Sequence, residues 1–105
     1  MQKILRKNKK EFGEIKLKLH VYSSPENCPA CRRMEAVYMA LAEEYDTTFI
    51  DPTTDDGAEK AYEDLVQSMP TLVVLKTGVQ VERFTGIVRE KEIKERLKEI
   101  AGGRY

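Results

Sequence analysis

The chain has 105 residues, 41% of them apolar and 34% charged, with 18 basic and 18 acidic side chains that cancel to zero net charge. That length suits one domain built on a single core and is too short for two. No apolar run approaches the ~20 residues that a membrane span needs.

The start, MQKILRKNKKEFGE, has basic residues but no apolar stretch and no small-residue cleavage site, so it does not read as a secretory signal. The chain is therefore expected in the cytoplasm. Thiols are held reduced there, and a cysteine pair is more often catalytic or metal-binding than structural. Charge is unevenly spread. Lys3, Arg6, Lys7, Lys9, Lys10, Lys16 and Lys18 make the start basic, while Asp46, Asp51, Asp55, Asp56, Glu59, Glu63 and Asp64 face only Lys60 in the middle. The basic run is short and lacks interleaved aromatics, so it reads as a solvated face and not as a nucleic-acid contact.

Residues 1–14 form an extension in which Ile4, Leu5 and Phe12 are expected to pack as a short helix or strand with no assigned place. Residues 15–22, IKLKLHVY, alternate Ile15, Leu17, Leu19 and Val21 against Lys16, Lys18, His20 and Tyr22, the period of a strand. From Cys28 to Tyr45 the period changes. Met34, Val37, Tyr38, Leu41, Ala42 and Tyr45 recur at three- and four-residue steps, which predicts a helix with one apolar face. Residues 47–51 read as a short strand ended by Pro52. Asp56 with Glu59 resembles a capping box opening a helix whose buried face is Ala58, Ala61, Tyr62 and Leu65.

TLVVLK at 71–76 is apolar almost throughout, as for an interior strand covered on both faces. Thr77-Gly78 turns it into a hairpin partner at 79–84. Gly86 follows, then a last helix with the stripe Ile93, Leu97 and Ile100, stopped by a frayed tail at 102–105. The order is a βαβ unit followed by a β-hairpin and a helix: one α/β domain.

Cys28 and Cys31, separated by Pro29 and Ala30, are the two cysteines of the chain. A zinc site, a structural staple and a redox centre are the three readings. Zinc needs four ligands, and one pair with His20 does not close such a site in one chain, although a dimer sharing four cysteines could hold zinc or an iron–sulfur cluster. A staple between neighbours on one helical turn closes almost no loop. Redox chemistry fits better. A thiol at a helix start faces unpaired backbone N–H groups and the positive end of the helix dipole, which lower its pKa. Pro29 suits the first turn, and Cys31 lies about one turn on, more shielded.

CPAC after a strand and opening a helix, SMPTLVVLKTG at 68–78 and FTG at 84–86 together resemble the thioredoxin-fold oxidoreductases, the thioredoxin and glutaredoxin-like group. The resemblance spans residues 15–101. It implies a central four-stranded mixed sheet flanked by helices, with Cys28 and Cys31 as a redox-active disulfide in which Cys28 is the nucleophile and Cys31 the resolving thiol. It also implies that Pro70 is a cis proline beside them, although a proline before an interior strand is otherwise only a tolerated strand start. The backbone of Met69 then pairs with a substrate chain, with Thr71 and Gly86 beside it.

The departures are specific. Thioredoxins have a tryptophan before the first cysteine, where this chain has Asn27 and no tryptophan at all. They carry a buried aspartate on the first core strand, where LHVYSS has no acid, so that role is empty or passes to water, Tyr22 or His20. SSPENCPAC leans towards glutaredoxins, but SMPT and TGIVRE, which lack a Gly-Gly-x-x-Asp turn, sit closer to thioredoxins. The function implied is reduction of protein disulfides, with no cofactor and no metal, by a monomer recycled through a protein reductant such as thioredoxin reductase. Recycling by glutathione, or a non-catalytic module sharing a metal across a dimer, are the alternatives.

Overall fold

A computed structural model describes residues 16–103. The elements run β1 (Leu17–Tyr22), α1 (Pro29–Glu44), β2 (Asp46–Ile50), α2 (Asp55–Glu63), β3 (Thr71–Lys76), β4 (Val79–Thr85) and α3 (Glu90–Ala101). The expected packing of Ile4, Leu5 and Phe12, the strand position of Ile15 and the end of the tail fall outside the described residues.

The strands form one sheet in the order β2-β1-β3-β4. β1 and β2 are parallel, joined through α1, whereas β1–β3 and β3–β4 are antiparallel. β3 is thus interior, which is why TLVVLK needs no polar face. The hairpin closes through Thr77 and Gly78, both at positive φ (51° and 84°), with Lys76 opposite Val79. A two-residue loop with two left-handed residues matches the twist of the flanking strands.

Alternation along the strands separates two cores. Leu17, Leu19 and Val21 of β1 with Leu72 and Val74 of β3 meet Met34, Tyr38 and Leu41 of α1 and Ile93, Leu97 and Ile100 of α3. On the opposite face Tyr22, Ile50, Val66 and Val73 meet Ala61 of α2. The sheet is therefore covered on both sides. The expected stripe of α3 is buried throughout. In that of α1, Met34, Tyr38 and Leu41 are buried, while Val37, Ala42 and Tyr45, the last already past the helix as its C-cap, are half-buried. Each large buried side chain contributes ~1.5–3 kcal/mol by leaving water.

The reading of α2 needs correction. Its cap is Thr54, whose hydroxyl accepts the Gly57 N–H at 3.0 Å, and Asp55 and Asp56 occupy the first turn. Asp56 with Glu59 is not the capping box. Of the four expected buried residues Ala61 alone is buried; Ala58 is exposed, Tyr62 is 81% exposed and Leu65 is 73% exposed. Leu65 lies beyond the helix at φ 59°, so the helical period does not extend to it. The helix sits so close to the end of β2 that a Cβ on Gly57 would fall 1.8 Å from the Asp51 carbonyl oxygen. Glycine makes that approach possible.

Candidate active site

Sheet register gathers the loops that carry the site. Tyr22 at the end of β1 pairs with Ile50 at the end of β2 and with Thr71 at the start of β3, and Thr71 pairs with Thr85 at the end of β4. The segments 23–28, 51–54, 66–70 and 86–89 therefore leave one end of the sheet together. Sequence-distant Cys28, Pro70 and Gly86 lie on segments that leave that one end because of topology, not composition.

The loop after β1 is built from short polar bonds. Ser23 donates its N–H to Ile50 O at 3.0 Å, and Asn27 donates to the carbonyl and the hydroxyl of Ser24, each at 2.9 Å. Arg32 folds back to donate to Pro25 O at 2.8 Å, so its guanidinium braces the loop. Cys28 is the N-cap of α1, extended at φ −144°, and Pro29 opens the helix. Its sulfur accepts the Cys31 N–H at 3.1 Å, and no acidic residue occupies the first turn. An N-cap sulfur in that position is where negative charge is best held, by one N–H donor and by the dipole of a 16-residue helix.

The two sulfurs are joined as a disulfide with Cα atoms 5.1 Å apart. They differ in access. Cys28 is half-buried and Cys31 is fully buried. Pro29 is exposed and Ala30 is half-buried beside them. The Met69–Pro70 peptide is cis, and Pro70 is buried with Thr71. Pro70 O accepts the N–H of Gly86, which is at φ +83°, at 2.8 Å, tying the two loops to each other. Val88 N–H in turn points at the Met34 sulfur at 3.5 Å, one turn beyond Cys31 on α1. The 86–89 segment is thereby fixed against the dithiol helix. Ile87 is 55% exposed there, while Val88 turns inward against the larger core.

The comparisons with known proteins agree with this geometry. The family model described as Thioredoxin matches residues 4–99. The chain belongs to the thioredoxin family. A thioredoxin of Porphyra purpurea is 33% identical over 72 residues, 67% of each chain. Thioredoxin H2 of Arabidopsis thaliana is 31% identical over 93 residues, 85% of this chain and 69% of that one. Among solved structures, a thioredoxin from Nicotiana alata superposes with a TM-score of 0.69 at 27% identity, covering 95% of this chain and 84% of its own. A mutant thioredoxin from Halobacterium salinarum gives 0.68 at 29% identity, covering 84% and 76%. With a cysteine pair at bonding distance, the family makes the chain a thiol–disulfide oxidoreductase, a protein-disulfide reductase. The glutaredoxin and metal-sharing alternatives are not favoured.

Sequence reasoning left one part of the molecule undescribed. On the α2 face, the Asp64 carboxylate accepts from the Tyr22 hydroxyl and pairs with His20 Nδ1 at 2.8 Å; Tyr22 also donates to Lys60 O at 3.0 Å. From β4, Arg83 donates to the carbonyls of Asp64 and Leu65 at 2.6 and 2.8 Å, and Gln80 to Asp64 O at 3.1 Å. Burial, and then the bond to Asp64, push the Tyr22 phenol well above its usual range. His20 and Tyr22 share alternate positions on β1, the one signal that they face the same way. Their partner Asp64, over 40 positions on, carries none. The Tyr22 hydroxyl and the His20 ring nitrogen are thus both engaged with Asp64 on the α2 face.

Proposed function

We propose that Cys28 is the attacking thiol and Cys31 the resolving thiol of a reductase for protein disulfides. In the first step the Cys28 thiolate attacks one sulfur of the substrate, forming a mixed disulfide and releasing the other substrate sulfur as a thiolate, which takes a proton from solvent. In the second step the Cys31 thiolate attacks the Cys28 sulfur. The bond from Cys28 to the substrate breaks, the substrate sulfur leaves as a thiolate that takes up a proton, the Cys28–Cys31 disulfide forms, and two electrons have passed to the substrate. The observation that carries the assignment is the contrast at the helix start: a half-buried N-cap sulfur that accepts an N–H at 3.1 Å, against a fully buried partner. Thiolate reactivity follows charge stabilisation and access, and both favour Cys28.

Met69, Pro70, Thr71 and Gly86 form the platform on which the substrate backbone lies, on the family pattern. Their support here is the shared end of the sheet and the Gly86-to-Pro70 bond. Re-reduction comes from a protein reductant, a flavin-dependent thioredoxin reductase, docking on exposed apolar surface such as Ile87. Glutathione acts poorly, because 86–90 reads Gly-Ile-Val-Arg-Glu, with a single glycine and no aspartate. The enzyme works as a monomer in the cytoplasm, where a dithiol is kept reduced between turnovers.

Insulin reduction coupled to NADPH tests the whole reading. Cys28→Ser should abolish turnover, and Cys31→Ser should accumulate a mixed disulfide visible on a non-reducing gel. Iodoacetamide near pH 6 should label Cys28 first. Labelling of Cys31 first would reverse the roles, and efficient turnover with glutathione but with no thioredoxin reductase would change the reductant.

A further inference from the structure

We propose that Asn27 is a positioning residue for the attacking thiol: through Ser24 and Asp51 it holds the turn before α1 so that the Cys28 sulfur stays on the Cys31 N–H. The inference rests on the reading of Cys28 as the attacking thiol and adds the residues that keep its sulfur in place.

Three polar side chains form one hydrogen-bonded chain. Ser24 Oγ donates to Asp51 Oδ2 at 3.4 Å, and Asn27 Nδ2 donates to Ser24 Oγ at 2.9 Å. The direction of the chain is set at its far end. The Thr53 hydroxyl and N–H donate to the other Asp51 oxygen at 2.6 and 2.9 Å and, with the Ser24 bond, hold the carboxyl below its usual range. An ionised carboxylate can only accept, so Ser24 directs its single hydroxyl proton there and leaves a lone pair for Asn27. The Asn27 amide is thereby fixed with its NH2 group towards Ser24. Its main-chain N–H bonds to Ser24 O at 2.9 Å as well.

Burial accounts for one half of this chain and not for the other. Ser24 is 2% exposed, so its hydroxyl needs a partner, and Asp51 is one. Asn27 is exposed and has water for its amide, so desolvation does not demand its bond to Ser24. Its place in the chain gives that bond a use. Asn27 immediately precedes Cys28, whose sulfur accepts the Cys31 N–H only while the Cys28 backbone keeps its extended N-cap angles, φ −144° and ψ 107°. Two bonds to one buried serine clamp the residue that leads into those angles. The other ties of the loop, Ser23 N–H to Ile50 O and Arg32 to Pro25 O, act further back. Where thioredoxins carry a tryptophan, this chain holds the position by hydrogen bonds.

The test follows iodoacetamide alkylation of the reduced full-length chain from pH 5 to 10, with peptide mapping of the labelled cysteine. The wild type is compared with Asn27→Ala, Ser24→Ala and the double variant. Below the thiol pKa the rate tracks the thiolate fraction, so Asn27→Ala should label Cys28 about threefold more slowly at pH 6 and no more slowly at pH 9. Its thermal melt should be unchanged, because the side chain removed is exposed. Ser24→Ala should slow labelling at pH 6 to a similar degree and lower the melt. The double variant should be no slower than Ser24→Ala, because the same bond is lost only once. Asp51→Ala, a surface change, takes the place of Ser24→Ala in the cycle if the buried substitution unfolds the chain. An unchanged pH profile in Asn27→Ala, equal slowing at pH 6 and pH 9, or effects that add in the double variant would each overturn the positioning role and leave Cys28 as the attacking thiol. A first label on Cys31 in the wild type would instead remove the reading on which the proposal rests.

Discussion

The two faces of the sheet are held by different physics. The α1/α3 face is a continuous apolar core in which Leu19, Leu41, Leu72, Ile93, Leu97 and Ile100 are all completely buried. The α2 face has a small apolar patch around Tyr22, Val73 and Ala61, with a polar lattice beside it in which side chains of β1 and β4 hold the end of a nine-residue helix. A large apolar face needs only periodicity and tolerates imprecise placement. A short helix with little to bury depends on directed bonds, each of which needs both partners. The dithiol helix α1 rests on the first kind of face and α2 on the second.

The comparison predicts its sharpest contrast for truncation. Leu97→Ala removes a fully buried side chain from the larger core and should cost about 2–5 kcal/mol, read as a shift of the urea midpoint. Asp64→Ala on the other face should cost about 1–2 kcal/mol, since it leaves the Tyr22 hydroxyl with Lys60 O alone and His20 without its partner. An Asp64→Ala cost as large as that of Leu97→Ala would make the polar lattice the dominant support and undo the distinction.

Legibility in the sequence follows the same division. The alternation of Leu17, Leu19 and Val21 and the steps from Met34 to Leu41 announce the larger core directly, because burial there is set by period alone. Cys28, Pro29 and Cys31 could be placed at a helix start for the same local reason. The α2 face could not be read so. Tyr62 and Leu65 fall on a helical stripe, yet the helix is short, ends before Leu65, and has no second apolar surface for Tyr62 to meet. In the sequence Asp64 is one more acid in an acidic stretch, and only the fold brings β1 and β4 to it. Thr54, one residue before two aspartates, was the cap that composition disguised.

Alkaline titration separates the faces by cause. Burial alone pushes Tyr38, in the larger core, up to about 12, whereas Tyr22 is raised by burial and by Asp64. A phenol whose folded pKa lies above the unfolded value of 10.0 ionises in the unfolded chain first. Stability is then intact below pH 10 and falls as pH climbs through the folded pKa; Tyr38 should account for roughly 2 kcal/mol of loss by pH 12. Tyr38→Phe should flatten that fall in urea titrations run from pH 9 to 12. In a 295 nm titration Asp64→Asn should bring one phenol, Tyr22, back towards ordinary values and leave Tyr38 where it is. If both phenols move together, the two faces are coupled and not independent.

The smallest expected effect has the opposite sign and concerns the end of α2. Val66 N–H bonds to Ala61 O at 2.8 Å and Leu65 N–H to Tyr62 O at 3.1 Å, the paired bonds of a Schellman ending, with Val66 and Ala61 packed together in the smaller core. The left-handed position of that motif usually belongs to glycine, and here it is Leu65, at φ 59° and 73% exposed. Its Cβ is strained in that conformation, and its side chain recovers little by burial. Leu65→Gly should therefore stabilise the protein, by up to about 1 kcal/mol after the added freedom of the unfolded glycine is counted. That amounts to a rise of a few degrees in Tm. Arg83 holds the Leu65 carbonyl, not its side chain, so the anchoring bond survives the change. A fall in Tm would mean that the leucine side chain packs beside Val66, and the α2 face would then owe more to apolar contact than its hydrogen bonds suggest.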